Sequence, residues 1–388
     1  MKRVKNSIVK KKIVFLTGTR ADFGKMKSII GSLHRAGNFE VHIFATGMHM
    51  LSKYGYTVNE IEKEKLPHIY KFINQIENAS LDQILANTLQ GFGNYIQELK
   101  PDMIVVHGDR VEALAGALVG SFNNILVAHI EGGEVSGTID EHIRHAISKV
   151  SHLHFVSNKT AQRRLVQMGE KPEDIFVIGS PDIDIMNSCK LPSLQSAQKR
   201  YGLKFDKYAI LIQHPVTTEM NLLPENVSTL IKTLKESDMN YLVIHPNNDP
   251  GTDIIQDLYK SEFSGSSRFK IFPSIRFEYF LTLLKNSHFI IGNSSVGIRE
   301  APYYGVPSID TGTRQTNRAK GLESVHHCDY DQKKMMELTQ KFGNKCTRFK
   351  QSKVFGDGKS DQKMLSILKK GEIFKRNIQK QFRDIEFL

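Results

Sequence analysis

The chain has 388 residues, a length that favours two domains over one or four. An apolar content of 40% together with 28 glycines is that of an ordinary globular protein, which argues against disordered, collagen-like and fibrous chains, and no apolar run is long enough to span a bilayer. The 53 basic and 41 acidic residues leave a formal charge of +12, a surplus that suits nucleic acid, an anionic membrane or a small anionic substrate.

The chain begins with Lys2, Arg3, Lys5, Lys10, Lys11 and Lys12, which resembles the start of a signal peptide. The apolar run that follows is only Ile13–Leu16, too short for one. The expectation is a basic tail leading into a first strand, in a cytoplasmic protein. Cys189, Cys328 and Cys346 lack any Cys-x-x-Cys spacing, so neither a disulfide framework nor a zinc ribbon is expected. There is no RNA-binding aromatic motif, zinc finger or basic recognition helix, and nucleic acid is not an expected partner.

From there, short β-rich runs alternate with helical stretches. Ile13–Leu16 is followed by a helix over Met26–His34 and a strand at Val41–Ala45; after an amphipathic helix over Leu81–Leu99 come strand Met103–Val106, helix Val111–Phe122 and strand Ile125–Ile130. Strand and helix in alternation predict a parallel sheet with crossover helices. The pattern lapses around Cys189–Lys204 and restarts with strands at Tyr208–Gln213, Tyr241–Ile244, Phe269–Phe272, Phe289–Gly292 and Val306–Asp310. Helices are predicted over Asn226–Ser237, Arg276–Leu284 and Gly297–Tyr304. The expected fold class is α/β, with two Rossmann-like doubly wound domains facing across a crevice. Their bounds are 1–190 and 205–370, with a helical tail at 371–388 packing back on the first domain.

Ligands of open α/β sheets bind beyond the carboxyl ends of the strands, and the polar residues at those ends are the candidates. Thr17–Lys25 places Arg20 and Lys25 where a first helix opens, which suits a phosphate. Alone this is an ordinary turn as readily as a site. His107-Gly108-Asp109-Arg110 follows a buried strand, and Asp109 either serves chemistry or caps the next helix. Glu131 ends the following strand, before a glycine-rich loop and a helix on which Asp140 and Arg144 share a face. His142, His145, His152 and His154 read as bland helix residues. Three carboxylates at adjacent strand ends suit general acid and base work, and their crowding predicts at least one raised pKa. In the second half, His214 and Asn247 lie in loops after strands, Ser294 and Ser295 open a helix as an anion site, and Glu300 is placed to accept from ribose hydroxyls.

Taken together these motifs resemble the hydrolysing UDP-N-acetylglucosamine 2-epimerases of bacterial sialic acid biosynthesis. The resemblance runs through TGTRADFGK (Thr17–Lys25), HGDR (His107–Arg110), HIEGGEVSGTIDEHIRH (His129–His145), QHPVTT (Gln213–Thr218), SIRFEYF (Ser274–Phe280), GNSS and REAP (Gly292–Pro302) and GTRQTNR (Gly312–Arg318). It implies a fold of the GT-B type, a UDP-sugar substrate, no metal or cofactor in the chemistry, and a homodimer. Carried over by motif, Asp109, Glu131 and Asp140 are the acid/base carboxylates. Arg20, Lys25, Arg110, Arg144, His214, Asn247, Arg276, Phe277, Ser294, Ser295 and Arg314 surround the nucleotide sugar, with Glu300 on the ribose. The non-hydrolysing relatives carry glutamate where this chain has Asp140, which favours the hydrolysing branch. The alternatives are the same chemistry on a 2,4-diacetamido-6-deoxy nucleotide sugar, a reversible epimerase that keeps UDP attached, a GT-B glycosyltransferase, and a nucleic-acid-binding or regulatory protein.

Overall fold

The computed structural model describes residues 10–384 apart from 137–138, 189–190, 248, 317 and 319–320. Lys2, Arg3, Lys5 and Cys189 lie outside the described residues. The first domain is a seven-stranded sheet of β1 (Lys11–Thr17), β2 (Phe39–Ala45), β3 (His68–Lys71), β4 (Met103–His107), β5 (Leu126–Ile130), β6 (Leu153–Val156) and β7 (Ile175–Val177). The strands pair in parallel in the order β3-β2-β1-β4-β5-β6-β7. Its helices are α1 (Arg20–Ala36), α2 (Val58–Glu62), α3 (Leu81–Leu99), α4 (Val111–Phe122), α5 (Ile139–Val150), α6 (Lys159–Gln167) and α7 (Pro181–Met186). Covering both faces is what makes β4 and β5 continuous apolar runs. Along β1, Ile13 and Phe15 enter the core beneath α1, while Val14 and Leu16 enter the core with Phe92 and Ile96 of α3 and Ala113 of α4.

The second domain repeats the plan. Helix α8 (Leu194–Tyr201) leads into β8 (Tyr208–Ile212), α9 (Leu223–Glu236), β9 (Asn240–Ile244), α10 (Thr252–Phe263), β10 (Phe269–Phe272), α11 (Phe277–Asn286), β11 (Ile290–Gly292), α12 (Glu300–Tyr303), β12 (Ser308–Asp310), β13 (Val325–His327) and α13 (Gln332–Asn344). The six strands are parallel, in the order β10-β9-β8-β11-β12-β13. In both sheets the winding reverses beside the first strand, between β1 and β4 and between β8 and β11. The loops leaving those four strands open onto one crevice.

Two expectations need correcting. Helix α14 (Ser360–Lys369), placed by sequence in the second domain, packs on α1, and its Met364 and Leu368 are buried in the first domain's core. Asp184 of α7 accepts from the amides of Ser360 and Asp361, which fixes where the chain returns. Nor is the segment after 370 a helical tail: beyond the single 3-10 turn Glu372–Lys375, the described residues run along the first domain as irregular chain. There Lys380 donates to the carbonyls of Lys149 and Ser151 at the end of α5 and pairs with Glu170 at 2.6 Å.

Because Leu368 is 1% exposed in that core, Leu368→Ala should lower the unfolding free energy by about 2–5 kcal/mol. Val354→Ala, at a position 52% exposed, should stay within about 0.5 kcal/mol. Equal effects in urea titrations would contradict this placement of α14.

Candidate active site

The strand β1 ends at Thr17, and α1 begins three residues later under a reciprocal cap. Thr19 accepts from the Asp22 amide, and Asp22 accepts from the amides of Gly18 and Thr19. This tight turn presents Arg20 and Lys25 to the crevice. After β4, Asp109 does not cap α4; Arg110 holds the cap position without a side-chain capping bond, and Asp109 is ion-paired to the buried Arg144 of α5. After β5, Glu131 adopts a left-handed backbone, φ 69°, unusual for a residue with a side chain. That conformation turns its carboxylate onto Ser180 Oγ (2.8 Å), His107 Nε2 (3.3 Å) and Arg299. Asp140, in the first turn of α5, is 2.8 Å from Arg314 of the opposite domain.

From the second domain, β11 ends at Gly292 with φ 122°, where a Cβ would lie 2.1 Å from the Ile212 carbonyl oxygen, so only glycine fits. Asn293 then locks this loop to the one after β8, accepting from the His214 amide at 2.7 Å and donating to its carbonyl at 2.8 Å. His214 Nδ1 lies 3.2 Å from both the backbone amide and the side-chain Oδ1 of Asn247, which fixes the ring in the crevice. Ser294 caps the single 3-10 turn Ser295–Gly297, and α12 starts only at Glu300, so the helix expected over Gly297–Tyr304 is interrupted.

Between the domains these loops enclose a cavity of about 320 Å³. Asp109, Glu131 and Asp140 line it with Arg20, Lys25 and Arg110 from the first domain. His214, Asn247, Phe277, Ser294, Ser295, Glu300 and Arg314 line it from the second.

A UDP-N-acetylglucosamine 2-epimerase family model matches residues 31–369. The chain belongs to this family. It is 47% identical over 381 residues to the UDP-N-acetylglucosamine 2-epimerase of Neisseria meningitidis serogroup B, covering 97% of this chain and 99% of that one. It is 33% identical over 363 residues to the UDP-N,N'-diacetylbacillosamine 2-epimerase (hydrolyzing) of Legionella pneumophila, covering 92% and 96%. Its fold is similar to that of a Neisseria meningitidis UDP-GlcNAc 2-epimerase crystallised with UDP-GlcNAc, with a TM-score of 0.78 at 19% identity, covering 92% of this chain and 100% of that one. The GT-B-like pair of parallel α/β domains is therefore that of the epimerase family.

Within this epimerase fold, two expected ligand residues stand elsewhere. Arg276 does not line the cavity; it pairs with Glu60 of α2 at 3.0 Å and with Glu278 at 3.2 Å, joining the domains outside the crevice. Arg144 stands behind Asp109 and is 2% exposed. Sequence reading also passed over a buried ionic cluster. Arg299 is bound to Glu131, to Glu134 at 3.1 Å and to Asp182 at 3.5 Å, while Arg318 reaches Glu134 at 3.2 Å. The only hint was that Glu134 and Arg299 stood inside the quoted motifs, since nothing local tells a residue that its partner is 165 positions away.

For two of the three carboxylates the cluster works against the expected rise. Burial works to raise the pKa of Asp109, but Arg144, Arg318 and Arg314 outweigh it and hold the carboxyl below its ordinary value. Burial likewise opposes ionisation of Glu131, yet Arg299 and Lys25 keep it well below 4.5. Glu300, also in the cavity wall, is raised: burial pushes it up to about 7 against the pull of Lys25, with Asp182 adding repulsion. Burial and Arg314 drive His214 down to about 3, leaving a neutral imidazole.

Removing Arg299 leaves several buried carboxylates without their common cation, and Arg299→Met should cost about 3–5 kcal/mol near neutral pH. The sign with pH follows from Glu131 and Glu134, both lowered in the native protein. Their native contribution is present above the unfolded value near 4.5 and is lost as pH falls. In Arg299→Met, burial acts unopposed by that cation and raises their folded pKa values, so the deficit should widen as pH rises from about 5 to 8. A deficit constant with pH in denaturant titrations would contradict this pairing.

Proposed function

We propose that the protein is a hydrolysing epimerase that converts UDP-N-acetylglucosamine and water to N-acetylmannosamine and UDP, the sugar that enters sialic acid synthesis. The observation that supports this most is the placement of Asp109, Glu131 and Asp140 on one wall of the cavity, facing His214, Ser294, Ser295 and Arg314 on the other. The 47% identical relative is named for this substrate, and the 33% identical relative carries the word hydrolyzing in its name.

No carbonyl adjoins C2 to acidify its hydrogen, so departure of the nucleotide must assist. The C1–O bond to UDP breaks while a carboxylate takes the C2 proton, giving a glycal. The charge growing on the diphosphate is met by Arg20, Arg314, the His214 imidazole and the Ser294 and Ser295 hydroxyls. Glu300, on the nucleotide side, accepts from the ribose. Water then adds to C1 as a proton enters C2 from the opposite face, releasing free sugar.

Because inversion requires the hydrogen to leave one face and return on the other, removal and delivery need two groups. Asp109 and Glu131, held as carboxylates, are placed to take the C2 proton, and the proton that returns to C2 on the other face comes from a second carboxyl of the three that has drawn one from solvent. The Asp140–Arg314 pair has a further role: once Arg314 turns to the diphosphate, Asp140 loses a cation and becomes a better proton acceptor, which couples nucleotide binding to the chemistry.

Asp109→Asn, Glu131→Gln and Asp140→Asn should each slow UDP release from UDP-N-acetylglucosamine by at least about 10²-fold without loss of fold. Near wild-type turnover in all three would remove the assignment. Run beside it, a 2,4-diacetamido-6-deoxy UDP-sugar should be the poorer substrate; the reverse preference would place the enzyme with its Legionella relative.

A further inference from the structure

We propose that Glu40, His42 and His68 form a binding site for a divalent transition-metal ion of the zinc class, at the edge of the first sheet and separate from the crevice. Among the described residues, these three place a nitrogen or carboxylate oxygen each within 4.8 Å of one another. The arrangement follows from the sheet. Residues two apart on a strand share a face, so Glu40 and His42 of β2 lie together, and His68 of β3 is the direct parallel partner of His42. The two imidazole rings are stacked, with centroids 4.3 Å apart and planes 13° from parallel, and His42 Nε2 is already 2.7 Å from Glu40 Oε1.

The donors suit the ion. Two imidazoles and one carboxylate select zinc, copper or nickel over magnesium or calcium, which prefer all-oxygen shells. Tetrahedral donors about 2.0–2.2 Å from zinc stand about 3.3 Å apart, so binding requires the exposed His68 ring to turn out of the stack, whose near-parallel planes cannot both aim a lone pair at one ion. The fourth position is left to water. His42 has the outer partner typical of a metal-bound histidine, with the Tyr95 hydroxyl of α3 3.3 Å from Nδ1, leaving Nε2 for the ion.

An ion here would staple an edge strand. β3 is four residues long and pairs with β2 alone. The chain leaving it is tied to the loop after β2, with Thr46 donating to the Phe72 carbonyl at 2.8 Å and the Gly47 amide to Asn74 at 2.9 Å, next to Met48 in the cavity wall.

Chelator-stripped full-length protein, titrated calorimetrically with zinc sulfate, should bind one ion per chain, and its thermal midpoint should rise with zinc but not with equal magnesium. His68→Ala and Glu40→Gln, both at accessible positions, should lose this binding while keeping the metal-free midpoint. Tyr95→Phe should weaken it about tenfold. No zinc binding in the micromolar range, or binding unchanged by His68→Ala, would overturn the proposal.

Discussion

One guanidinium organises the molecule. Arg299, rising from the second domain and fully buried, is held by Glu131, Glu134 and, on α7, Asp182 of the first domain. A cation withdrawn so far from water is tolerable only against several anions, and those anions only against it. The consequence is mutual placement: Glu131 cannot take another orientation without leaving Arg299 to Glu134 and Asp182 alone. Its left-handed backbone is part of the same constraint.

Ion pairs continue along the domain seam. Lys27 reaches Glu278 at 2.6 Å, Arg276 reaches Glu60, and Arg110 reaches Asp249 at 3.4 Å. All six side chains are half-buried at the seam. They align two domains whose apolar cores are separate. Within the cavity the same principle gives the proposed chemistry its charge balance, since Asp140 is neutralised by the arginine that a diphosphate would take.

The two-domain α/β plan was legible because buried parallel strands such as Met103–His107 are unbroken apolar runs ending in Gly or polar residues. Asp109 and Glu131 were legible for the same reason: they stand where those runs stop, whereas Asp140 stands in the first turn of α5. Strands β3, β6, β7 and β13 were not, being three or four residues long, with histidines in three of them obscuring the pattern. The return of α14 to the first core was invisible, because an amphipathic helix records that it has a buried face and not which core covers it. Arg276 misled because its position in a motif says nothing of its direction, and Glu60 lies closer than the cavity. The partners of Arg299 were likewise beyond any local signal.

The central claim is that the carboxylates exchange the C2 hydrogen with solvent while UDP departs. Proton NMR of the wild-type enzyme with UDP-N-acetylglucosamine in deuterated water tests it most directly. The account requires UDP and free N-acetylmannosamine in equal amounts, with deuterium at C2. Retention of the C2 hydrogen, or accumulation of UDP-N-acetylmannosamine in place of free sugar, would contradict it.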